Sequence, residues 1–244
     1  MSLEKKIVVI SQARMTSTRL PGKVLMNVDG QSLLKYHLDR LQSSLWQLVV
    51  ATTTNASDDS IVAWCKQNDI ATFRGSEDNV LERFYEAARS CNAEIIVRVT
   101  SDCPLIDKEL IEQGLNFFET PQSKNVYVSN CFPRTFARGF DFEIFSFEAL
   151  EEAYLNAHEP FDLEHATPYI WKNKSGRINL QNITQAADNS SLRLCVDTRE
   201  DFLLIQKLIE QYKCDKLSYQ EIESLLNSHL ELKQINANIE QKKL

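Results

Sequence analysis

Three cations, Arg14, Arg19 and Lys23, stand close together near the start of this 244-residue chain, among Thr16, Ser17, Thr18 and the pair Pro21-Gly22. They follow the apolar run Ile7 to Ile10, which reads as a buried strand. The loop contains neither GxxxxGK[ST] nor GxGxxG, so its grip on an anion is mainly a side-chain grip, with backbone N–H groups around Pro21-Gly22 assisting. Three cations suit a triphosphate better than a single carboxylate. Two aspartates complete the set. Asp102 follows the apolar run Glu94 to Thr100 and stands just before Cys103-Pro104; Asp197 follows Leu192 to Val196 and precedes Thr198. Facing each other across a crevice, the two carboxylates would form a hard-oxygen site suited to Mg²⁺, which takes one or two carboxylates plus substrate phosphate. The competing reading makes each a cap, Asp102 of a turn and Asp197, with Thr198, of the helix that follows.

The intervening sequence supplies the elements that must position these groups. Gln31 to Ser44 places Leu33, Leu34, Leu38 and Leu41 on one helical stripe, and Leu45 to Thr52 reads as a second buried strand. Ser57-Asp58-Asp59 opens a helix to about Asn68, Ile70 to Arg74 is a short strand, and Asn79 to Ser90 is an amphipathic helix leading to the Glu94 to Thr100 strand. This alternation predicts an α/β fold with a doubly wound, mainly parallel sheet, whose ligands bind beyond the carboxyl ends of the strands. Arg14 and Asp102 should therefore open onto one crevice. A helix is predicted from Asp107 through Phe118, a linker at Pro121-Gln122-Ser123-Lys124 and a strand at Asn125 to Ser129. Phe140 to Phe145 alternates strictly, which predicts a strand with Asp141 and Glu143 on the face away from Phe140, Phe142 and Ile144. Helices at Ser146 to Ala157 and Asp162 to Lys172, strands at Arg177 to Ile183 and Leu192 to Val196, and helices from Arg199 or Glu200 to Tyr212 and from Ser218 to Leu230 complete the reading. A polar tail over 231–244 is expected to fray. These elements form one domain over 1–230, in two halves at 1–120 and 121–230, the second carrying Asp197.

The bulk properties exclude several classes. At 43% hydrophobic and 25% charged residues, the chain is an ordinary globular protein able to bury a large core. No apolar run approaches the roughly 18 to 20 residues that cross a membrane, and no signal-peptide pattern is present, so a cytoplasmic location is expected. A net charge of −7 disfavours nucleic acid as a partner and makes the cation loop a local positive pocket, better matched to a small phosphate ligand. The six cysteines show no CxxC pairing and read as reduced packing residues. Cys103, with no histidine near it in sequence, reads as a small filler.

The run QARMTSTRLPGK resembles the N-terminal signature of the sugar-acid cytidylyltransferases, the group that includes the acylneuraminate and 3-deoxy-manno-octulosonate enzymes. FRGSEDNVLERF (Phe73 to Phe84), RVTSDCPLID (Arg98 to Asp107), GFDFEIFSFEALEEA (Gly139 to Ala153), EHATPYI (Glu164 to Ile170) and VDTREDF (Val196 to Phe202) extend the resemblance, in order, toward the spore coat polysaccharide biosynthesis branch. The resemblance implies a Rossmann-like nucleotidyltransferase fold of the glycosyltransferase A kind. It implies a reaction of CTP with a sugar to give a CMP-sugar and pyrophosphate, with Mg²⁺ as cofactor. Carried over by position, Arg14, Arg19 and Lys23 would hold the triphosphate, Asp102 and Asp197 the metal, and Thr52, Thr53, Arg74, Gly75 and Ser76 would lie near the base and ribose. Asp141, Glu143, Glu164 and His165 are candidates for sugar contacts, and Arg134 and Arg138 for a substrate carboxylate. Thr100-Ser101 stands where the octulosonate enzymes carry a glutamine-glycine pair, which leaves the sugar open. The family often dimerises, so a homodimer is an expected assembly, with the aromatic segment Phe132 to Phe147 serving as an interface or as core. The rival readings are a glycosyltransferase of the same fold that consumes a nucleotide-sugar, and a non-catalytic nucleotide-binding module.

Overall fold

The apolar run after Lys6 becomes the first strand of a sheet in a computed structural model that describes residues 5–118 and 125–240. In chain order the strands are β1 (Ile7–Gln12), β2 (Asn27–Val28), β3 (Gln31–Ser32), β4 (Gln47–Thr53), β5 (Ala71–Gly75), β6 (Ile95–Thr100), β7 (Val126–Ser129), β8 (Glu143–Ser146) and β9 (Asn179–Asn182). The helices are α1 (Leu33–Arg40), α2 (Asp59–Gln67), α3 (Val80–Ser90), α4 (Lys108–Leu115), α5 (Phe147–Asn156), α6 (Pro160–His165), α7 (Pro168–Trp171), α8 (Arg199–Tyr212), α9 (Tyr219–Ser228) and α10 (Leu230–Lys233). Seven strands form one sheet in the order β5-β4-β1-β6-β8-β7-β9, and β2 and β3 pair separately.

β1 lies between β4 and β6, parallel to both. The chain winds from β1 outward through β4 to β5, then returns to place β6 on the other side of β1. The crevice between the ends of β1 and β6 is thus a topological switch point, where doubly wound sheets bind ligands. Gln12 and Thr100 are register partners at that edge, and the Ser101 N–H donates to the Gln12 carbonyl at 3.0 Å, so the loops bearing Arg14 and Asp102 leave the sheet side by side. Within this sheet, among the described residues, only β8 runs antiparallel, between β6 and β7.

The continuous apolar run of β1 has a physical cause: both faces of the sheet are covered. Val9, Val97 and Val99 pack under α4, α8 and α9, whereas Val8, Ile10 and Ile96 pack under α3 and α5. Among the described residues, no helix is long and apolar enough to cross a membrane.

Several expectations change here. The helix expected over Asp162 to Lys172 is broken in two at Ala166, whose φ is 66°. Pro168 has no N–H to continue the ladder, so it starts the second helix instead of extending the first. The helix expected through Phe118 ends as α4 at Leu115 and closes in a tighter 3₁₀ turn over Asn116–Phe118. Leu192 to Val196 is not a strand of the sheet; it makes an isolated bridge between Arg193 and Arg138. Gly139 permits that bridge, because at φ 111° it adopts a backbone few side chains tolerate and a Cβ there would lie 2.8 Å from the Leu194 carbonyl carbon. Of Phe140 to Phe145, only the part from Glu143 onward is strand, and Glu143 is buried instead of wet because α-helical cover lies on both faces. The 231–244 tail does not fray where it is described: Leu232 is buried, and the Asn236 amide donates to the Arg193 carbonyl and to Asp201 Oδ1 at 3.0 and 2.8 Å. The linker at Pro121–Lys124 and residues 241–244 lie outside the described residues.

Candidate active site

The loop after β1 turns at Gly22, whose φ of 71° is the left-handed region, and delivers Lys23 inward at the start of a 3₁₀ turn. The Lys23 Nζ donates to Asp102 Oδ2 at 2.6 Å and to Asp197 Oδ1 at 2.8 Å. The two carboxylates that the sequence keeps 95 positions apart therefore converge on one point. Asp197 Oδ2 in turn meets Arg19 at 2.8 Å and Arg193 at 2.7 Å. Burial works to raise the Asp197 pKa, but Lys23, Arg19 and Arg193 outweigh it and hold the carboxyl below its usual range. For Lys23, burial works downward, and the two aspartates reverse it, leaving the ammonium more basic than a free lysine. Arg14 stands on the rim, about half exposed and 3.7 Å from Glu77.

Two buried networks brace the aspartates from behind. Asp201, in the first turn of α8, accepts from the Arg193 Nε at 2.9 Å and from the backbone N–H groups of Asp197 and Thr198, both at 3.0 Å. Together with the Thr198 hydroxyl it forms a capping box, so the group that starts α8 also fixes Asp197. Around Asp102, the buried His37 imidazole lies 2.9 Å from the Cys103 carbonyl through Nδ1 and 2.8 Å from Ser11 Oγ through Nε2, and Ser11 Oγ lies 2.7 Å from Ser101 Oγ. A carbonyl can only accept, so Nδ1 carries the proton and Nε2 accepts from Ser11. Burial pushes the His37 pKa down to about 4, which keeps the ring neutral. The residues before and after Asp102 are both pinned by this chain.

The aspartates and the cation loop line a cavity of about 320 Å³ with Gln12, Ser17, Thr18, Glu164 and His165. His165 also lines two neighbouring cavities. One, of about 510 Å³, is bounded by Gln12, Arg14, Glu77, Asn79, Arg98 and Glu164. The other, of about 240 Å³, is bounded by Arg98, Arg134, Arg138, Asp141 and Glu143, with Phe132 and Trp171 stacked 5.0 Å apart beside it. His165 thus sits where three spaces meet, and Glu164 borders the first two. Asp141 and Glu143 reach the third cavity with their oxygens already engaged. Arg134 donates to both oxygens of Asp141, while Arg98 and the Tyr127 hydroxyl occupy those of Glu143. Both oxygens of Glu143 are therefore already engaged, one of them by Arg98.

The five residues expected near the base and ribose line none of these three cavities. The Thr52 and Thr53 hydroxyls donate to Asp58 Oδ2 at 2.9 and 2.6 Å, and Asp58 Oδ1 accepts the Met15 N–H at 2.8 Å. Asp58 thereby ties the end of β4 to the cation loop. Arg74 spends its guanidinium on the Thr53 and Asn55 carbonyls and on Asp59. Gly75 makes room for Arg83, and the Ser76 hydroxyl accepts the Asn79 N–H at 3.0 Å. These residues build the wall; Glu77 and Asn79, a few positions on, face the space. Gln12, Arg193, Asp201 and His37 were not singled out by the sequence. Gln12 was the accessible one, since it ends the strand at the switch point.

Among the described residues no three His, Cys, Asp or Glu side chains gather as a complete metal cage. The donor set nevertheless fits Mg²⁺: two hard carboxylates already converge on one cation, and an ion with a preference for phosphate and water takes its remaining oxygens from the substrate.

Comparison with known proteins agrees with this architecture. The chain is 34% identical over 245 residues to the uncharacterized protein MJ1063 of Methanocaldococcus jannaschii, covering 97% of each. It is 31% identical over 233 residues to the spore coat polysaccharide biosynthesis protein SpsF of Bacillus subtilis, covering 91% of this chain and 94% of that one. A solved cytidylyltransferase from Leptospira borgpetersenii superposes with a TM-score of 0.88 at 32% identity, covering 98% of this chain and all of that one. The seven-stranded, mainly parallel sheet is accordingly a Rossmann-like nucleotidyltransferase fold. The family model described as cytidylyltransferase matches residues 8–244, and with nearly the whole chain inside it the protein belongs to the cytidylyltransferase family.

Proposed function

We propose that the protein is an Mg²⁺-dependent cytidylyltransferase that joins CTP to a sugar acid, releasing pyrophosphate and a CMP-sugar for surface polysaccharide synthesis in the cytoplasm. The observation that carries this reading is the convergence of Lys23, Arg19, Asp102 and Asp197 at the switch point, next to a second cavity with its own cations. The half 1–120 would take the nucleotide and the half 121–230 the sugar.

In this reading Arg14, Arg19 and Lys23 bind the triphosphate, and Asp102 and Asp197 hold the metal. Mg²⁺ supplies charge neutralisation on the phosphates and the leaving pyrophosphate. The protein side of the mechanism is positioning. A sugar hydroxyl is held in line with the α-phosphorus, and the cations offset the charge that builds on the pyrophosphate oxygens as the bond to it breaks. The buried Asp201 and His37 networks fix the aspartates beforehand, so little reorganisation accompanies the reaction. Glu164 and His165, at the meeting of the cavities, orient the sugar against the nucleotide. Arg138 supports a carboxylate on that sugar: it lines the third cavity and, among the described residues, forms no ion pair of its own, while Arg134 is committed to Asp141. The stacked Phe132 and Trp171 offer apolar faces beside it.

The test is pyrophosphate release from each of the four nucleoside triphosphates against sugar acids and neutral or amino sugars. CTP with a sugar acid should be the productive pair. A glycosyltransferase would release none from a triphosphate, and a silent binding module would bind CTP equally in EDTA and in Mg²⁺.

A further inference from the structure

The point on which Asp102 and Asp197 converge is filled by a side chain of the protein itself. Lys23 Nζ lies 2.6 Å from one carboxylate and 2.8 Å from the other. The remaining oxygen of Asp197 is shared by Arg19 and Arg193. Counted with Asp201, the cluster holds three cations, Arg19, Lys23 and Arg193, against three carboxylates, and so balances its own charge. A divalent cation arriving alone would have to displace a hydrogen-bonded ammonium from a half-buried site and leave uncompensated positive charge behind.

The three cations are not equally tethered. Arg193 is buried and held from the other side by Asp201, at 2.9 Å. Arg19 and Lys23 belong to the loop after β1, line the same cavity as the aspartates, and have no carboxylate partner other than these among the described residues. Phosphate oxygens entering that cavity compete for these two cations and leave Arg193 in place. The lysine head is a compact charge on a flexible stem, able to turn from carboxylate to phosphate without movement of the backbone.

We infer that Lys23 occupies the divalent-cation position of the nucleotide-free protein and bars a divalent cation from it until a triphosphate draws the ammonium away, so that nucleotide engages first and the metal afterwards. This rests on the reading of Asp102 and Asp197 as the metal pair. It gives Lys23 two successive tasks, holding the two carboxylates together and then gripping phosphate. It also keeps the protein from sequestering divalent cations when nucleotide is scarce.

The test is Mn²⁺ binding, followed by the loss of the free-ion electron paramagnetic resonance signal, with and without CTP and with no sugar present. Wild-type protein should bind one Mn²⁺ with CTP and bind it at least roughly tenfold more weakly without. Lys23→Met should bind Mn²⁺ in the absence of CTP at least about tenfold more tightly than wild type, and Lys23→Met combined with Asp102→Asn should lose that gain. Thermal melting checks each variant, and Lys23→Gln serves where Lys23→Met does not fold. Equal Mn²⁺ binding by wild type with and without CTP, or no gain in either Lys23 variant, overturns the inference. If in that case Asp102→Asn still weakens Mn²⁺ binding in the presence of CTP, the metal pair stands and only the order falls. If Asp102→Asn leaves Mn²⁺ binding with CTP unchanged, the metal pair itself is wrong and the inference goes with it.

Discussion

His37 makes the stability of the protein depend on pH in a way that can be worked out beforehand. The imidazole is fully buried, with Nδ1 toward the Cys103 carbonyl and Nε2 toward Ser11, and its pKa falls from 6.5 to about 4. The depressed value means that the unfolded chain binds the proton first. Stability is therefore complete above the unfolded pKa and is lost as pH falls from there toward the folded one, the unfolded state taking up more protons throughout the interval. Every tenfold difference in proton affinity between the two states is worth about 1.4 kcal/mol, so the full loss approaches ~3 kcal/mol, of which about 2 kcal/mol falls between about pH 7 and about pH 5. For a chain of this size that is a drop in Tm of roughly 4 to 8 °C. Urea unfolding midpoints of wild type and His37→Gln at several pH values over that range are the assay. Glutamine retains hydrogen-bonding groups but does not titrate, so the variant should start lower and decline less steeply. Parallel declines in the two proteins would refute the assignment of the pH dependence to His37.

The other expectations concern the same site. Asp201→Ala removes one of the two carboxylates paired with the buried Arg193 and should cost about 3 kcal/mol in urea unfolding; a loss under roughly 1 kcal/mol would mean that Asp201 braces nothing. Asp197→Asn should flatten the acid limb of the stability profile, because a carboxyl held below its usual range contributes fully above the unfolded value near ~4 and loses that contribution as pH falls through its folded value. An unchanged acid limb counts against the three-cation grip. Asp102→Asn should keep the fold by circular dichroism yet abolish Mg²⁺-dependent pyrophosphate release, and near-normal turnover would remove Asp102 from the metal pair. Thr53→Val should cost about 1 kcal/mol through Asp58 and leave the KM for CTP within about twofold, whereas a large rise in KM would restore Thr53 to the nucleotide contacts.

What could be read in advance followed local pattern. The uniform apolar run of β1 announced a strand covered on both faces, and the strand-helix alternation after it announced the parallel sheet and its switch point. Arg19, Lys23, Asp102 and Asp197 were visible because each follows a strand or a loop whose place in such a sheet is known. The partners that make them a site were not visible. Arg193 and Asp201 lie in the same stretch as Asp197, yet nothing in their spacing says that the segment before Asp197 leaves the sheet and turns its guanidinium back. His37 sat among the leucines of α1 as one more residue of a buried stripe. For Thr52 and Thr53 the strand end was legible, but not that Asp58, only a few residues downstream, engages their hydroxyls. For Glu143 the alternation gave the face but not what covers it, so its burial was not legible.

The bridge between Arg138 and Arg193 places one guanidinium in the cavity assigned to the sugar and the other on Asp197, along two stretches of backbone locked by Leu194 N–H to Arg138 O at 2.7 Å and Arg138 N–H to Leu192 O at 2.9 Å. Because Gly139 leaves no slack there, the two arginines shift together or not at all. On the proposed function, changes that re-tune the cavity at Arg138 will therefore also re-tune Asp197, and substrate range and catalytic rate in this protein should drift as one inherited trait.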